Sequence, residues 1–408
     1  MKKLMIYTDC SFFAGCENVL ENILNTEEVV KNYDVVFCYR YSRRYEKELM
    51  ARPIDVQTFP VKILTNDDLI IRLKDNFGKG LIYKICLLPF WLLERIYLYH
   101  LINFFLLRKL ISKQNPDIIH INNGGYPGSE SCRTMALSAI SLRKNAILFT
   151  VNNMAIKSRD FIDRLIDSLI NQNVSNFVTA SKAASKRLSQ ERGFSRKKLE
   201  VIHNTVLNDA SHKKYTPMLR SEFKIDRSHC VIGSLGLLIE RKGYESLIEA
   251  ARQIKSKNNW SIYIFGEGEE RKKLEALINK YQLTENIHLP GFRPNPIDYL
   301  IDFDVFILPS IRNEDQPNVI SEAMLFSKPI IGTYVAGIPE QIDDGKTGYL
   351  CEPGNISQIV NALNSMIDMS KERRLMMGSQ SYEKYLNEFS YEKSMQKYLT
   401  LYNKISDI

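Results

Sequence analysis

The chain of 408 residues, 44% apolar and 25% charged, has the composition of an ordinary globular protein, with material for two domains or three. Its seven cysteines, at 10, 16, 38, 86, 132, 230 and 351, form no CxxC pair and no Cys/His ligand spacing, which excludes a disulfide framework and points to reduced thiols in the cytoplasm. The net charge of +8 sits in residues 1–207, which hold 30 Lys and Arg against 20 Asp and Glu (25 against 27 thereafter); this suits an anionic partner or a solubilising surface, but no basic–aromatic cluster marks a nucleic-acid module.

MKKLMIYTDC opens the chain as a charged start and a short strand, not as a signal peptide. Apolar runs follow at 4–8, 34–39, 117–121, 146–151, 176–180 and 199–203. Helical patterns separate them at 16–29, 66–113, 129–142, 160–171 and 182–191. Within the second of these, residues 85–111 are dense in Leu, Ile, Phe and Tyr. Pro89, Glu94, Arg95, His100 and Asn103 interrupt the segment, and the run from Ile96 to Leu107, 12 residues, is shorter than a bilayer span. It reads either as a helix lying on a membrane interface, flanked by Arg108, Lys109 and Lys113, or as a long core helix.

Residues 207–228 are polar, hold a proline and show no period, which places a domain boundary there. Strand patterns resume at 230–236, 260–266, 286–291, 304–310, 328–333 and 347–351, with helices at 243–257, 269–281, 295–302, 318–327 and 356–369 and an amphipathic tail at 389–405. Apolar strands alternating with helices give a parallel sheet covered on both faces. The pattern occurs twice. The expectation is an α/β protein of two doubly wound Rossmann-like domains, 1–207 and 208–388, with the helix 389–408 packing back onto the first. Ligands bind at the carboxyl ends of parallel strands, so two such domains would face each other across a central cleft.

The candidate residues follow strands. After 230–236 comes GLLIERKG: Gly236 allows close backbone approach, and Lys242 precedes the Gly243 helix start, a cation beside free amides that would suit a phosphate. Alone, it reads rather as a solvated lysine near a turn. After 260–266 comes FGEGE, with Gly266 and Gly268 permitting a tight turn. After 304–310 comes PSIRNEDQPNVISE. Pro317 suits a first helical turn, Asn318, Val319 and Ile320 would carry open amides, Glu314 stays in the loop and Glu322 falls in the second turn. Two such carboxylates can accept hydrogen bonds from sugar and ribose hydroxyls, or simply offset a helix dipole. Gly337, Pro339 and Glu340 repeat the strand-to-helix logic. In the front half, Gly15 precedes a helix, residues 120–128 (HINNGGYPG) form a glycine-rich loop, and His120 has no partner at metal spacing.

Together these motifs resemble the retaining GT-B glycosyltransferases of glycosyltransferase family 4, most strongly over 230–355 and more loosely over 1–207. The resemblance implies that Glu322 binds the ribose of a nucleotide sugar and Glu314 the donor sugar. It assigns the diphosphate to Lys242, the Asn318 and Val319 amides and the Gly15 loop, and the base to Phe292 and Arg293. It implies no metal and no cofactor beyond the donor itself, because a lysine and helix dipoles stabilise the leaving diphosphate. Two positions depart from the family pattern. Leu237 stands where an arginine is common, leaving a second cation to be supplied elsewhere, as by Arg241. Asn152 stands where a histidine is common; it can donate a hydrogen bond to a sugar but cannot act as a base.

The implied activity is transfer of a sugar, with retention, to a saccharide or lipid-linked saccharide. The basic front half and residues 85–111 fit surface polysaccharide assembly at the inner face of a membrane. Two rivals carry different chemistry: a nucleotide-sugar epimerase or phosphorylase of the same fold, and a non-catalytic protein that binds nucleotide or anionic membrane.

Overall fold

A computed structural model describes residues 1–13, 15–65, 70, 73, 80, 82, 84–89, 98–128, 130–206 and 215–407. The described chain divides into two compact units. The first comprises Met1–Thr179, Ser185–Val201 and Met395–Ile408, and the second Ala180–Ala184 and Ile202–Ser394.

The first unit holds seven parallel strands: β1 (Lys2–Thr8), β2 (Tyr33–Arg40), β3 (Gln57–Val61), β4 (Ile118–Asn123), β5 (Ile147–Val151), β6 (Asn176–Thr179) and β7 (Leu199–Val201), in the order β3-β2-β1-β4-β5-β6-β7. Six of them answer to the apolar runs. The seventh, β3, is QTFPV. Its polar start and Pro60 hide it in the sequence, and both are tolerated because it pairs only with β2, at the sheet edge. The central strands are apolar throughout because helices cover both faces: Met5, Tyr7, Ile119, Ile121, Ile147 and Phe149 are fully buried on one of them. The pattern at 16–29 divides into helices Gly15–Leu24 and Glu27–Asn32. His120 is packed: its Nδ1 meets the Tyr402 hydroxyl at 2.7 Å and its Nε2 the Thr150 hydroxyl at 2.7 Å. Burial pulls its pKa down to about 3, so it stays neutral and serves structure.

Of the segment 85–111, residues 90–97 lie outside the described residues; the helix Leu98–Gln114 is described. It buries Leu107 and Ile111 in the core, while Leu101, Ile102, Phe105 and Leu106 on other faces are exposed. No helix of the described residues is long and apolar enough to cross a membrane.

The second unit holds six parallel strands, β8 (Cys230–Leu235), β9 (Trp260–Phe265), β10 (Ile287–Gly291), β11 (Val305–Ile307), β12 (Ile330–Thr333) and β13 (Gly348–Cys351), in the order β10-β9-β8-β11-β12-β13. All six match the apolar runs. Two apolar layers sandwich the sheet. One gathers Ile232, Ile262, Ile264, Val305 and Ile307 with Leu247 and Ile248 of the helix Tyr244–Ala251. The other gathers Val231, Leu235, Phe265, Phe306 and Leu308 with Ile320 and Met324 of the helix Asn318–Leu325. A helix over Lys371–Lys384, capped by the Ser370 hydroxyl, was not legible in the sequence, where its apolar stripe is thin. The strand order reverses between β8 and β11. Such a switch point opens a crevice beyond the carboxyl ends of the two strands, and that is where the candidate residues of this unit converge.

Candidate active site

Two glycines allow the loops at that switch point to close on one another. Gly266, after β9, has φ of 146°, and a Cβ there would lie 1.9 Å from the Gly236 carbonyl oxygen. Gly243 has φ of 71°, and a Cβ there would lie 2.0 Å from the Pro309 carbonyl oxygen. Because Gly243 has none, the short turn Glu240–Lys242 presses against the end of β11, and the Ile311 amide donates to the Arg241 carbonyl at 2.8 Å.

That approach brings together residues more than 70 positions apart. The Lys242 ammonium lies 2.6 Å from Glu314 Oε1, and the Arg241 guanidinium lies 2.5 Å from the same oxygen. The Ser310 hydroxyl donates to it at 3.1 Å. Both Lys242 and Glu314 are 7% exposed. Burial pulls the Lys242 pKa down, and the Glu314 carboxylate works against that pull. Leu237, at the position where an arginine is common, is an exposed apolar side chain. Arg241 supplies the second cation of the cluster.

The loop between the two glutamates is anchored by groups that its sequence did not announce. The Asp315 carbonyl accepts the Gly337 amide at 2.9 Å, and its carboxyl bonds the Ser181 hydroxyl. Burial pushes the Asp315 pKa up to about 7. Gln316 takes the Asn204 amide at 3.0 Å and donates back to its carbonyl at 2.8 Å. Glu340 accepts the Lys182 and Ala183 amides, each at 2.9 Å. The only sequence signal for these roles was the polar pair Asp315–Gln316 lodged between Glu314 and Pro317.

Pro317 does not lie within the first helical turn. It is the residue before it, extended with ψ of 122°, and its carbonyl takes the Ile320 amide at 3.1 Å. The Ile320 amide is therefore satisfied, while the Val319 amide has no acceptor among the described residues; Asn318 is engaged. Glu322, one turn on, is part-buried, and its carboxylate makes no hydrogen bond or ion pair among the described residues. Burial pushes its pKa up to about 7.

Phe292 and Arg293 follow β10 and behave differently from each other. Phe292 is exposed. Arg293 is engaged by Glu222 at 2.9 Å and by the Tyr299 hydroxyl at 3.2 Å, and it donates to the Pro290 carbonyl at 2.8 Å. Its guanidinium edge is thus committed to its own unit, and only Phe292 presents an open face.

Gly15 and Asn152 belong to the first unit. Gly15 opens the helix after β1, where the buried Glu17 accepts from Thr8 at 2.8 Å and from Tyr45 at 2.5 Å. The Asn152 side-chain amide donates to Asn122 Oδ1 at 2.7 Å and to the Asn123 carbonyl at 3.1 Å. Its donor is spent on the end of β4, so what it offers a ligand is its oxygen, an acceptor, rather than the donor expected from the sequence. Among the described residues, the metal-capable group is Cys10, Cys16 and Glu17, whose ligand atoms lie within 4.8 Å of one another. The Glu17 carboxylate is already an acceptor for Thr8 and Tyr45, which leaves it poorly placed as a ligand.

Comparison with known proteins places the chain among glycosyltransferases by sequence and by fold. The family described as Glycosyl transferases group 1 matches residues 217–384, and that described as Glycosyltransferase Family 4 matches residues 35–207. N-acetyl-alpha-D-glucosaminyl L-malate synthase of Bacillus anthracis is 25% identical over 296 residues, 72% of this chain and 76% of that protein. The capsular polysaccharide biosynthesis glycosyltransferase CapM of Staphylococcus aureus is 24% identical over 66% of this chain and 68% of its own. A putative colanic acid biosynthesis glycosyltransferase, WcaL of Salmonella typhimurium, is 39% identical, but over 32% of this chain and 34% of its own. Among solved structures, HepE of Anabaena in complex with UDP superposes with a TM-score of 0.76 at 18% identity, covering 98% of this chain and 100% of that one.

Proposed function

The chain belongs to glycosyltransferase family 4 and has the GT-B architecture, and from that premise we propose that it moves a sugar, with retention and without a metal, from a nucleotide diphosphate sugar to a saccharide or lipid-linked saccharide in polysaccharide assembly. The observation that carries this reading is the cluster at the β8–β11 switch point: two cations on one buried carboxylate, beside an open helix amide and an unpaired second carboxylate.

Each group has a chemical role. The Lys242 ammonium turns from Glu314 to the diphosphate and, with Arg241 and the Val319 amide, stabilises the charge that develops on the leaving group. Glu314, released from Lys242, accepts hydrogen bonds from the donor sugar. Glu322 accepts the ribose hydroxyls, and its unpaired state leaves both oxygens open to them. Phe292 offers a flat apolar face to the base. On the first unit, what the chain offers a ligand is the Gly15 backbone at the start of the helix Gly15–Leu24 and the Asn152 oxygen, an acceptor. With no base at position 152, attack occurs on the face of the sugar that the diphosphate leaves, whose oxygen receives the acceptor's proton.

Relatives named for capsular polysaccharide, colanic acid and lipopolysaccharide core biosynthesis support a polysaccharide context, and HepE, crystallised with UDP and with UDP-glucose, supports a uridine donor. Exposed Leu101, Ile102, Phe105 and Leu106, on a helix ending near Lys109 and Lys113, support a lipid-linked acceptor presented at the inner, anionic face of a membrane. A thermal-shift screen of UDP-, GDP- and ADP-sugars tests the donor, since a ligand bound only by the native protein raises its melting temperature. Turnover of the hit by wild type, Lys242→Ala and Glu314→Ala then tests the site. Equal rates in all three would remove the assignment, and product formed without any acceptor would turn the reading to an epimerase.

A further inference from the structure

The second sheet has a cavity at its other edge. Asp304 immediately precedes β11 and Pro329 immediately precedes β12, and both line a hollow of about 310 Å³. In a parallel sheet all strand starts share one edge, so this hollow lies a full strand length from Lys242, Glu314 and Glu322, which follow strand ends.

Its walls are cationic. Arg220, Arg227, Lys328, Lys371 and Arg374 line it, against the carboxylates of Asp302 and Asp304. Asp304 pairs with Arg220 at 2.6 Å and accepts the Val231 amide at 2.8 Å, and Asp302 accepts the Arg220 amide at 3.1 Å. The other four cations form no ion pair among the described residues. Arg227 and Lys371 are exposed and make no hydrogen bond or ion pair among the described residues. The Lys328 ammonium has a carbonyl, Ile301 at 2.6 Å, as its hydrogen-bond partner and no carboxylate within ion-pair reach. Burial pulls its pKa down to about 8, against the opposing pull of the Asp304 and Asp302 carboxylates. Arg374 is 9% exposed; one of its terminal nitrogens caps the Met366 carbonyl at 2.9 Å, while its Nε is buried with no partner. A buried N–H without an acceptor costs free energy that a bound oxyanion would recover.

We infer that this cavity is a second binding site, for a phosphate-bearing small molecule of the size of a diphosphate or a sugar phosphate, set apart from the donor site. Fork-shaped guanidinium groups and ammonium groups around one hollow match a phosphate's several oxygens. The volume holds one such group with its near neighbours. The inference stands whether or not the chain transfers a sugar.

The test titrates pyrophosphate into Lys242→Ala protein by calorimetry, so that the donor site is weakened from the outset, and repeats it on Lys242→Ala carrying Arg227→Glu and Lys371→Glu. Both added changes are at exposed side chains, and an unchanged melting curve would show the fold intact. The expected result is saturable binding in the first protein and at least about tenfold weaker binding in the second. Binding of equal strength in both proteins, or no binding in either, overturns the inference. A parallel arm sediments both proteins with phosphatidylglycerol vesicles. Equal pelleting of the two is expected; pelleting lost with the two reversals while pyrophosphate binds neither protein would give the cavity to a lipid headgroup and overturn the small-molecule site.

Discussion

Replacing Glu322 by glutamine separates what this carboxylate costs the fold from what it contributes to binding. The side chain is part-buried and has no partner among the described residues, and burial moves its pKa from 4.5 to about 7. At ~1.4 kcal/mol per pKa unit, that gap corresponds to about 3 kcal/mol of stability withheld from the folded state once the group must ionise. The side chain keeps some contact with water, which lowers the expected figure to about 1–2 kcal/mol. The sign follows from proton binding. Below pH 4.5 the carboxyl is neutral both folded and unfolded, and nothing is lost. Between pH 4.5 and about 7 the unfolded chain releases the proton while the folded chain holds it, so stability falls; above about 7 the loss is complete.

Glu322→Gln keeps the shape and removes the charge. In urea titrations at pH 8 the variant should be more stable than wild type by about 1–2 kcal/mol, and the advantage should vanish by about pH 4.5. Nucleotide binding should move the other way. Hydrogen bonds to a charged acceptor contribute about 1.5–3 kcal/mol, so the variant's affinity for its nucleotide should drop about tenfold or more. A variant less stable than wild type at pH 8, or an advantage independent of pH, would refute the electrostatic account. A stabilised variant with undiminished nucleotide affinity would keep that account and refute the ribose role. Such opposition between fold and site is expected where a group is held ready for a ligand.

Other changes test other parts of the structure. Lys242→Ala should lower kcat/KM for the nucleotide sugar by about 100- to 1,000-fold, the usual loss of one charge-stabilising donor, with a melting curve close to wild type because Arg241 and Ser310 still hold Glu314. Gly243→Ala and Gly345→Ala share a left-handed backbone, φ of 71° and 74°, but a Cβ at 243 would meet the Pro309 oxygen at 2.0 Å while at 345 it would meet nothing within 4 Å. The first should cost about 2–3 kcal/mol more than the second in urea titrations, and equal costs would show that the turn's close approach is not what Gly243 provides. In the first unit, Asp163→Ala would strand the buried guanidinium groups of Arg133 at 2.8 Å and Arg192 at 3.4 Å, with Asp167 alone to offset them; a loss of about 3 kcal/mol is expected at pH 7. Burial works to raise the Asp163 pKa, but the Arg159 amide and Arg133 outweigh it and hold it at about 2, so the wild-type advantage should shrink as pH falls from about 4 toward 2.

How much of this could be read in advance divides along physical lines. Parallel strands buried on both faces write themselves as apolar runs, and 12 of the 13 strands among the described residues do so. The exception, β3, needs only one partner strand and one covered face, so Gln57 and Pro60 cost it little and erase its signature. The same reasoning applies to single site residues. Lys242 and Glu314 were legible individually, as residues after strands. Their ion pair was not, because it depends on Gly243 letting one turn reach the Pro309 carbonyl, a contact that no local pattern encodes.

Partners distant in the chain also decide what a side chain has left to offer. Arg293 was a sound candidate for a nucleotide base by position alone, but Glu222, 71 residues upstream, takes its guanidinium. Asn152 was a candidate donor, but Asn122, 30 residues upstream, takes its amide and turns it into an acceptor. Glu322 is the converse case: no described residue bonds its carboxylate, at a cost that burial makes visible in its pKa. In the proposed function that carboxylate receives the ribose hydroxyls of the donor, which is the role the Glu322→Gln comparison tests. Residue type and placement after a strand therefore nominate a group for chemistry, and the three-dimensional accounting of hydrogen-bond partners selects among the nominees. On that criterion the proposed donor site of the second unit rests on Lys242, Arg241, Glu314, the Val319 amide and Glu322, while Arg293 is held by Glu222.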